Sequence, residues 1–464
     1  MRTESRTEKD SMGDMTVPAN AYWGAQTQRA VENFPISGYR LGRAFVRAMG
    51  LIKQCAARVN RDLGRLDAKL ADLIDRAAGE VVEGKLDGHF VLDVYQTGSG
   101  TSLNMNANEV ISNRAIELAG GTIGSRDPVH PNDHVNVGQS SNDVIPAAIH
   151  VAAALALKED LAPALEHLRN TLTAKAEAFD DIVKIGRTHL QDATPIRLGQ
   201  EFYGYATQAE FAIVRAHKAI DALRELAIGG TAVGTGINTH PEFGRRMAEA
   251  LSDATGLDFA EAKNHYEAQA AKDAVCEASG LLRTIAMSLA KIANDIRLLG
   301  CGPRCGIGEI RIPATQPGSS IMPGKVNPVM SEMVIQVAGQ VAGNDHAIMM
   351  GCRESFFELN VGMPLIAYNL LESIRLLSNA ARVFADRCVA GIEADAERCQ
   401  ELVEQSLAMC TSLAPLIGYD AAAAIAKEAY KAGKTVRQVA LEKKVLSEAE
   451  LNKALDARGM TEPH

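Results

Sequence analysis

Aromatic side chains are scarce in this chain. They make up 5% of 464 residues, with a single tryptophan. Apolar residues still reach 47%, so a sizeable core is available, built from small aliphatic side chains and alanine above all. Such side chains let long helices approach closely, within one chain or between chains. No run of 18 apolar residues occurs, which speaks against a membrane-spanning helix. No basic run occurs either, and the formal charge is −9. Nucleic acid is therefore not expected as a partner. An anionic substrate has to be attracted locally, because the field of the whole protein opposes it. The opening stretch "MRTESRTEKDSMGDM" is polar and lacks an apolar core segment, so no secretory signal is expected. Eight scattered cysteines fit a reduced, cytoplasmic setting. The one close pair, Cys301 and Cys305 in "CGPRC", lacks the second pair or neighbouring histidines that zinc needs. These two are expected as buried thiols and not as a zinc site.

Proline is also sparse. None occurs from Ile196 to His240, Glu242 to Gly302, Val329 to Met363, or Leu365 to Ala414. Each gap admits a helix of unusual length. From Ala271 to Leu299, apolar residues recur every three or four positions (Ala274, Ala278, Leu281, Ile285, Leu289, Ile292, Ile296), the period of a helix face. A helix of roughly 29 residues runs about 43 Å, and only parallel neighbours can bury it. The expected fold is mainly α: a long-helix bundle body with smaller N- and C-terminal domains. Composition is more mixed before about residue 138, and helices shorten after about 395. The regions expected are 1–138, 139–395 and 396–464.

Four polar loops interrupt the apolar rhythm: "QTGSGTSLNMN" (Gln96 to Asn106), "GQSSNDVIP" (Gly138 to Pro146), "GRTHLQDATP" (Gly186 to Pro195) and "GSSIMPGKVNP" (Gly318 to Pro328). Each borders an expected helix. A single loop of this kind is usually just an N-cap. All four together carry hydroxyls, amides and glycine-freed backbone N–H groups suited to carboxylates, with helix N-termini adding positive potential. In the last loop Asn327 suits an N-cap and Pro328 the first helical position, which puts Lys325 just ahead of a helix end. A nucleotide phosphate loop does not fit. Five residues, not four, separate Gly318 from Gly324, and Val326 replaces the metal-binding hydroxyl.

The loop "GSSIMPGKVNP" resembles the GSSxMPxKxNP signature of the fumarase/aspartase superfamily. The other loops match in the same order, and the likeness runs from "EKDSMGDMTVPANAYWGAQTQRA" to "GKTVRQVALEKKVLSEAEL". Within the superfamily the chain is similar to the class II fumarate hydratases. It has "QTGSGT" where aspartases tend to have GGAGT, His189 where they have glutamine, and Gly324 where they have alanine. The resemblance implies a homotetramer around a helical bundle, with each active site built from three subunits. It implies reversible hydration of fumarate to L-malate through an aci-carboxylate carbanion, without a cofactor. By the same resemblance Ser319 takes the C3 proton, and Lys325 and Asn327 hold the carboxylate that becomes the aci form. His189 acts on the hydroxyl side through a water, partnered by Glu332. Ser99, Gly100, Thr101, Ser140, Ser141, Asn142, Thr188, Ser320 and Val326 bind substrate. The "HPND" turn, His130, Pro131, Asn132 and Asp133, resembles a second, peripheral anion site. Asp127 stands where relatives carry a basic residue, with Arg126 one place earlier, so a plain surface turn is the other reading. Two alternatives to the hydratase remain: an aspartate ammonia-lyase, and a non-enzymatic homologue of the lens-crystallin kind.

Overall fold

The computed structural model describes residues 4–463. The chain is mainly helical, and its longest helices fill the proline-free stretches: Leu198–Ala222, Asp273–Leu299, Val329–Arg353 and Met363–Arg387. In the Asp273–Leu299 helix most of the expected face is buried, with Ala278, Ile285, Leu289, Ile292, Ile296 and Leu299 in the core, while Ala274 and Leu281 are half-buried. This helix starts two residues later than its apolar period suggests. Ala271 is extended and ends the short helix His265–Ala270. The Lys272 ammonium then donates to the carbonyls of Ala268, Gln269 and Ala271 at 2.9, 2.9 and 2.6 Å, satisfying a helix end that would otherwise carry orphan acceptors.

The chain divides into two compact units. One comprises the chain up to Pro163, Val214–Ala286 and Gly339–Ser378; the other comprises Ala164–Ile213, Met287–Ala338 and the chain from Asn379. These units do not follow the sequence boundaries near 138 and 395. One cut falls near the start of the Ala162–Ala178 helix, and the other four fall inside the four longest helices, each of which supplies residues to both units.

In the first unit the Arg43–Asp62 helix buries Phe45, Met49, Ile52, Ala56 and Val59, a stripe of helical period. The Ala68–Val82 helix is capped by Asp67, whose carboxylate accepts from the amides of Lys69 and Leu70. The Thr101–Leu118 and Ser141–Ala156 helices are buried along most of their length. Three short pairings complete this unit: Ser5–Asp10 antiparallel to Gly13–Pro18, Glu225–Leu226 parallel to Ala260–Glu261, and Ser355–Phe356 antiparallel to Leu359–Asn360.

The second unit holds a hairpin, Val183–Thr188 with Gln191–Arg197, whose register runs Val183↔Arg197 to Thr188↔Gln191 with a bulge at Gly186. Ile185 at its base is buried in a cluster with Val403, Met409, Leu413, Ile425, Val436 and Leu451. The C-terminal helices thus clamp the hairpin. Ile310–Arg311 pairs antiparallel with Glu393–Ala394.

No helix among the described residues is long and apolar enough to cross a membrane. The expectation of buried thiols at 301 and 305 fails: Cys301 is half-buried and Cys305 exposed. They lie on an irregular loop, and such loops run over the surface where their backbone can meet water. Among the described residues no group of three or more His, Cys, Asp or Glu could hold a metal ion.

Candidate active site

The first unit brings two of the four loops together. Gly100 caps the Thr101–Leu118 helix at φ 69, a left-handed conformation that favours glycine. Ser99 Oγ lies 2.8 Å from Thr101 Oγ1, and Thr101 Oγ1 lies 3.0 Å from Ser141 Oγ. Ser141 in turn donates to Asn142 Oδ1 at 3.3 Å, and the Asn142 amide donates to the Ala232 carbonyl at 2.8 Å. The result is a continuous row of uncharged donors. Ser140 also caps the Ser141–Ala156 helix in a capping box with Asp143, its hydroxyl oxygen accepting from the Asn142 backbone amide at 3.2 Å.

Gly98 fixes this row from behind. A Cβ there would sit 2.0 Å from the Val361 carbonyl oxygen, and the Gly98 carbonyl accepts from the Met363 amide at 3.0 Å. Gly98→Ala is expected to destabilise the fold by about 1–3 kcal/mol through overpacking, read as a lower denaturation midpoint. An unchanged midpoint would show that the loop can shift without penalty.

Asp143 and the "GGTAVGTG" loop escaped the sequence reading. Asp143 is fully buried. One carboxylate oxygen accepts from Ser140 N at 2.9 Å, the other from Gly229 N and Thr231 N at 3.0 and 2.9 Å. Burial pushes its pKa up to about 6, against the pull of those N–H donors and of Lys53. The S-x-x-D spacing from Ser140 and the glycine density after Ile228 were the available signals.

The second unit carries the other two loops. "GRTHLQDATP" is a hairpin, and His189 and Leu190 form its two-residue turn at φ 56 and 60. Two central residues at positive φ are the type I′ pattern, which matches strand twist. Thr188 and His189 are exposed at this tip. Below the tip, Arg187 grips Glu309 with two bonds of 2.9 and 3.0 Å. Lys184 lies 3.3 Å from the same carboxylate and 3.2 Å from Glu201. Glu309 and Lys184 are almost fully buried, so the tip rests on a rigid, charge-paired base.

The Ser319 loop is closed into a ring. Gly318 N donates to the Lys325 carbonyl at 2.8 Å, and the Asn327 amide donates to the Gly318 carbonyl at 2.6 Å. Ser319 Oγ accepts from the amides of Ile321 and Met322 at 3.2 and 3.0 Å. Two backbone donors on one hydroxyl oxygen favour its anionic form. Ser320, Lys325 and Val326 are exposed. Asn327 is not the N-cap expected of it. The helix begins at Val329, and the Pro328 carbonyl takes the first helical bond from Glu332 N at 3.1 Å. One N–H of the Asn327 side-chain amide closes the ring instead, and the amide carries a second N–H donor. Beneath the ring lies a cavity of about 740 Å³ lined by Arg297, Cys301, Arg311, Lys325 and Asn327, among others.

Glu332 lies in the first turn of the Val329–Arg353 helix and is exposed. Among the described residues no hydrogen bond or ion pair engages the side chains of His189, Lys325 or Glu332. The expected His189–Glu332 partnership is therefore not formed within one chain.

The "HPND" segment is a tight helical turn, Pro131–Val135, capped by His130. His130 Nδ1 accepts from the amides of Asn132 and Asp133 at 3.2 and 3.1 Å. Burial lowers its pKa, outweighing the opposing pull of Asp133. The neutral ring then offers a single N–H, at Nε2. The Arg126 guanidinium is committed to the Lys9 carbonyl.

A family model described as "Lyase" matches residues 13–343, and one described as "Fumarase C C-terminus" matches residues 409–462. The chain is 59% identical over 461 residues to a class II fumarate hydratase of Halobacterium salinarum, covering 99% of this chain and 98% of that one. It is 53% identical to a mitochondrial fumarate hydratase of Danio rerio, covering 99% of this chain and 90% of that one. Among solved structures it resembles a class II fumarase of Schistosoma mansoni, with TM-score 0.96, 41% identity, and 99% and 100% of the two chains covered. The chain belongs to the class II fumarate hydratase family.

Proposed function

We propose that this chain catalyses the reversible hydration of fumarate to L-malate using protein groups alone. Membership of the family supports the reaction, and a dicarboxylate substrate follows from it. The observation that carries the mechanism is the closed ring that presents Ser319 Oγ to two backbone N–H groups, with Lys325 and Asn327 on the same ring.

The difficult step in the malate direction is removal of the C3 proton beside a carboxylate. Ser319 takes that proton, and the ring amides stabilise its oxyanion form. Negative charge then grows on the neighbouring carboxylate. Lys325 and Asn327 hold that charge, assisted by Ser320 and the backbone at Val326, in the manner of an oxyanion hole. His189 exchanges a proton with the water that becomes the hydroxyl, and Thr188 orients it. Ser99, Gly100, Thr101, Ser140, Ser141 and Asn142 bind the second carboxylate with uncharged donors.

The open valences of His189, Lys325 and Glu332 support a homotetramer whose active sites are shared between subunits. In that assembly Glu332 orients a histidine of a neighbouring chain. Sedimentation that shows a fully active monomer would remove this reading. All eight cysteines are free, which supports a reducing compartment, and we place the chain in the cytoplasm.

The competing reaction is addition of ammonia. Loss of fumarate's ultraviolet absorbance, followed with water alone and then with ammonium, separates the two. Loss of fumarate only when ammonium is present would overturn the hydratase reading. His189 in place of a glutamine favours water addition, because a general acid–base is needed on the oxygen side.

A further inference from the structure

One buried cation has no part in the chemistry above. Lys53 lies on the apolar side of the Arg43–Asp62 helix, beside Ile52, Cys55 and Ala56, with no exposed surface. Among the described residues it forms no ion pair. Its ammonium donates to Asn136 Oδ1 at 3.0 Å and to Gln139 Oε1 at 2.9 Å. Burial pushes its pKa down to about 7, opposed only by the charge of Asp143. Methionine would fill this space without the penalty of burying a charge, so packing does not explain a lysine here.

What the ammonium holds does explain it. Asn136 Oδ1 also accepts from the Asn104 amide at 3.1 Å, and the Asn136 amide donates to the Gln139 carbonyl at 3.1 Å. Gln139 donates from its side chain to the Val135 and Val137 carbonyls. Gln139 immediately precedes Ser140, and Asn104 lies one helical turn beyond Thr101. The two substrate-binding loops of this unit therefore meet twice. They touch at their tips through Thr101 and Ser141, and at their base through Asn104, Asn136 and Lys53.

We propose that Lys53 is a positioning residue for the hydration, setting the spacing between the Thr101 and Ser141 hydroxyls through Asn136 and Gln139. The proposal rests on the fumarate hydratase reading. Lys53 never touches substrate. It acts by ordering uncharged donors before substrate arrives, and pre-organised donors bind more tightly than donors that must be gathered. The effect belongs to carboxylate binding, which the ground state and transition state share. It therefore appears in KM more than in kcat.

The test is steady-state kinetics on Lys53→Met, Asn136→Leu and the double variant, with circular dichroism to check the fold. Lys53→Met is expected to raise KM for fumarate about tenfold with kcat within about threefold. The double variant is expected to be little worse than either single one, because both substitutions break the same node. A folded Lys53→Met with wild-type KM overturns the proposal, as does full additivity in the double variant. A merely structural lysine would lower the unfolding midpoint without this KM split. If Lys53→Met fails to fold, Asn104→Leu decides the matter. It removes one donor to the node and also an acceptor, Asn104 Oδ1, that has no partner. A raised KM in a stable Asn104→Leu supports the proposal, and an unchanged KM overturns it. Wild-type protein that forms no malate would instead remove the hydratase reading. Direct calorimetry of succinate binding to the same variants then still reads the node, with about tenfold weaker binding expected and unchanged affinity overturning it.

Discussion

Ser319→Ala lowers turnover by about 10²–10⁴-fold, the usual range for a positioned acid–base group, and changes KM for malate by no more than about threefold. The substitution removes one oxygen and leaves the ring intact, since the ring is closed by Gly318, Lys325 and Asn327 rather than by the Ser319 side chain. The amides of Ile321 and Met322 lose an acceptor, but on an exposed loop water replaces it. Substrate carboxylates keep their donors, so binding survives. Proton removal is what the transition state needs and the ground state does not. Steady-state kinetics and deuterium exchange at malate C3 should therefore fall together. Near-normal exchange in the variant would remove Ser319 as the base.

His189→Asn should be as damaging on the other side of the substrate. Exchange of the malate hydroxyl with solvent oxygen is expected to fall by about 10²-fold or more, while exchange at C3 is largely retained. Asparagine is the informative choice because position 189 sits at φ 56, and asparagine tolerates that region better than most residues. The two-residue turn persists, so loss of function reports the imidazole and not a collapsed hairpin. Thermal unfolding should stay near the wild-type midpoint. Collapse of C3 exchange with survival of hydroxyl exchange would reverse the roles given to Ser319 and His189.

The long helices were legible because proline is the one residue their interiors cannot hold, and its absence over four stretches marks them out. Their apolar period located the buried face of the Asp273–Leu299 helix to within two residues at its start. The compact units were less legible. A helix longer than one core is shared between cores, and nothing local in its sequence marks the division. The loops were legible as donor-rich interruptions, yet their shapes were not. "GRTHLQDATP" reads as a helix-bordering loop, because His-Leu lacks the Asn-Gly or Asp-Gly that usually signals a two-residue hairpin turn. Asn327 reads as a cap because an Asn-Pro pair before a helix usually is one. The bond to Gly318, nine positions earlier, depends on a ring that local pattern cannot reveal. Lys53 stayed hidden for a simpler reason. A single charge on an apolar helix face looks like an exception until the groups packed against it are known.

The ring around Ser319 bears on how the site can open. Its two ends are pinned to each other, Gly318 to Lys325 and Asn327, and Gly324 at φ 80 lies between them. A segment pinned at both ends does not peel away residue by residue. It is expected to move as one flap, so that the groups proposed as base and charge holders would reach the substrate together. Amide exchange across Gly318 to Asn327 should report it as a single concerted opening.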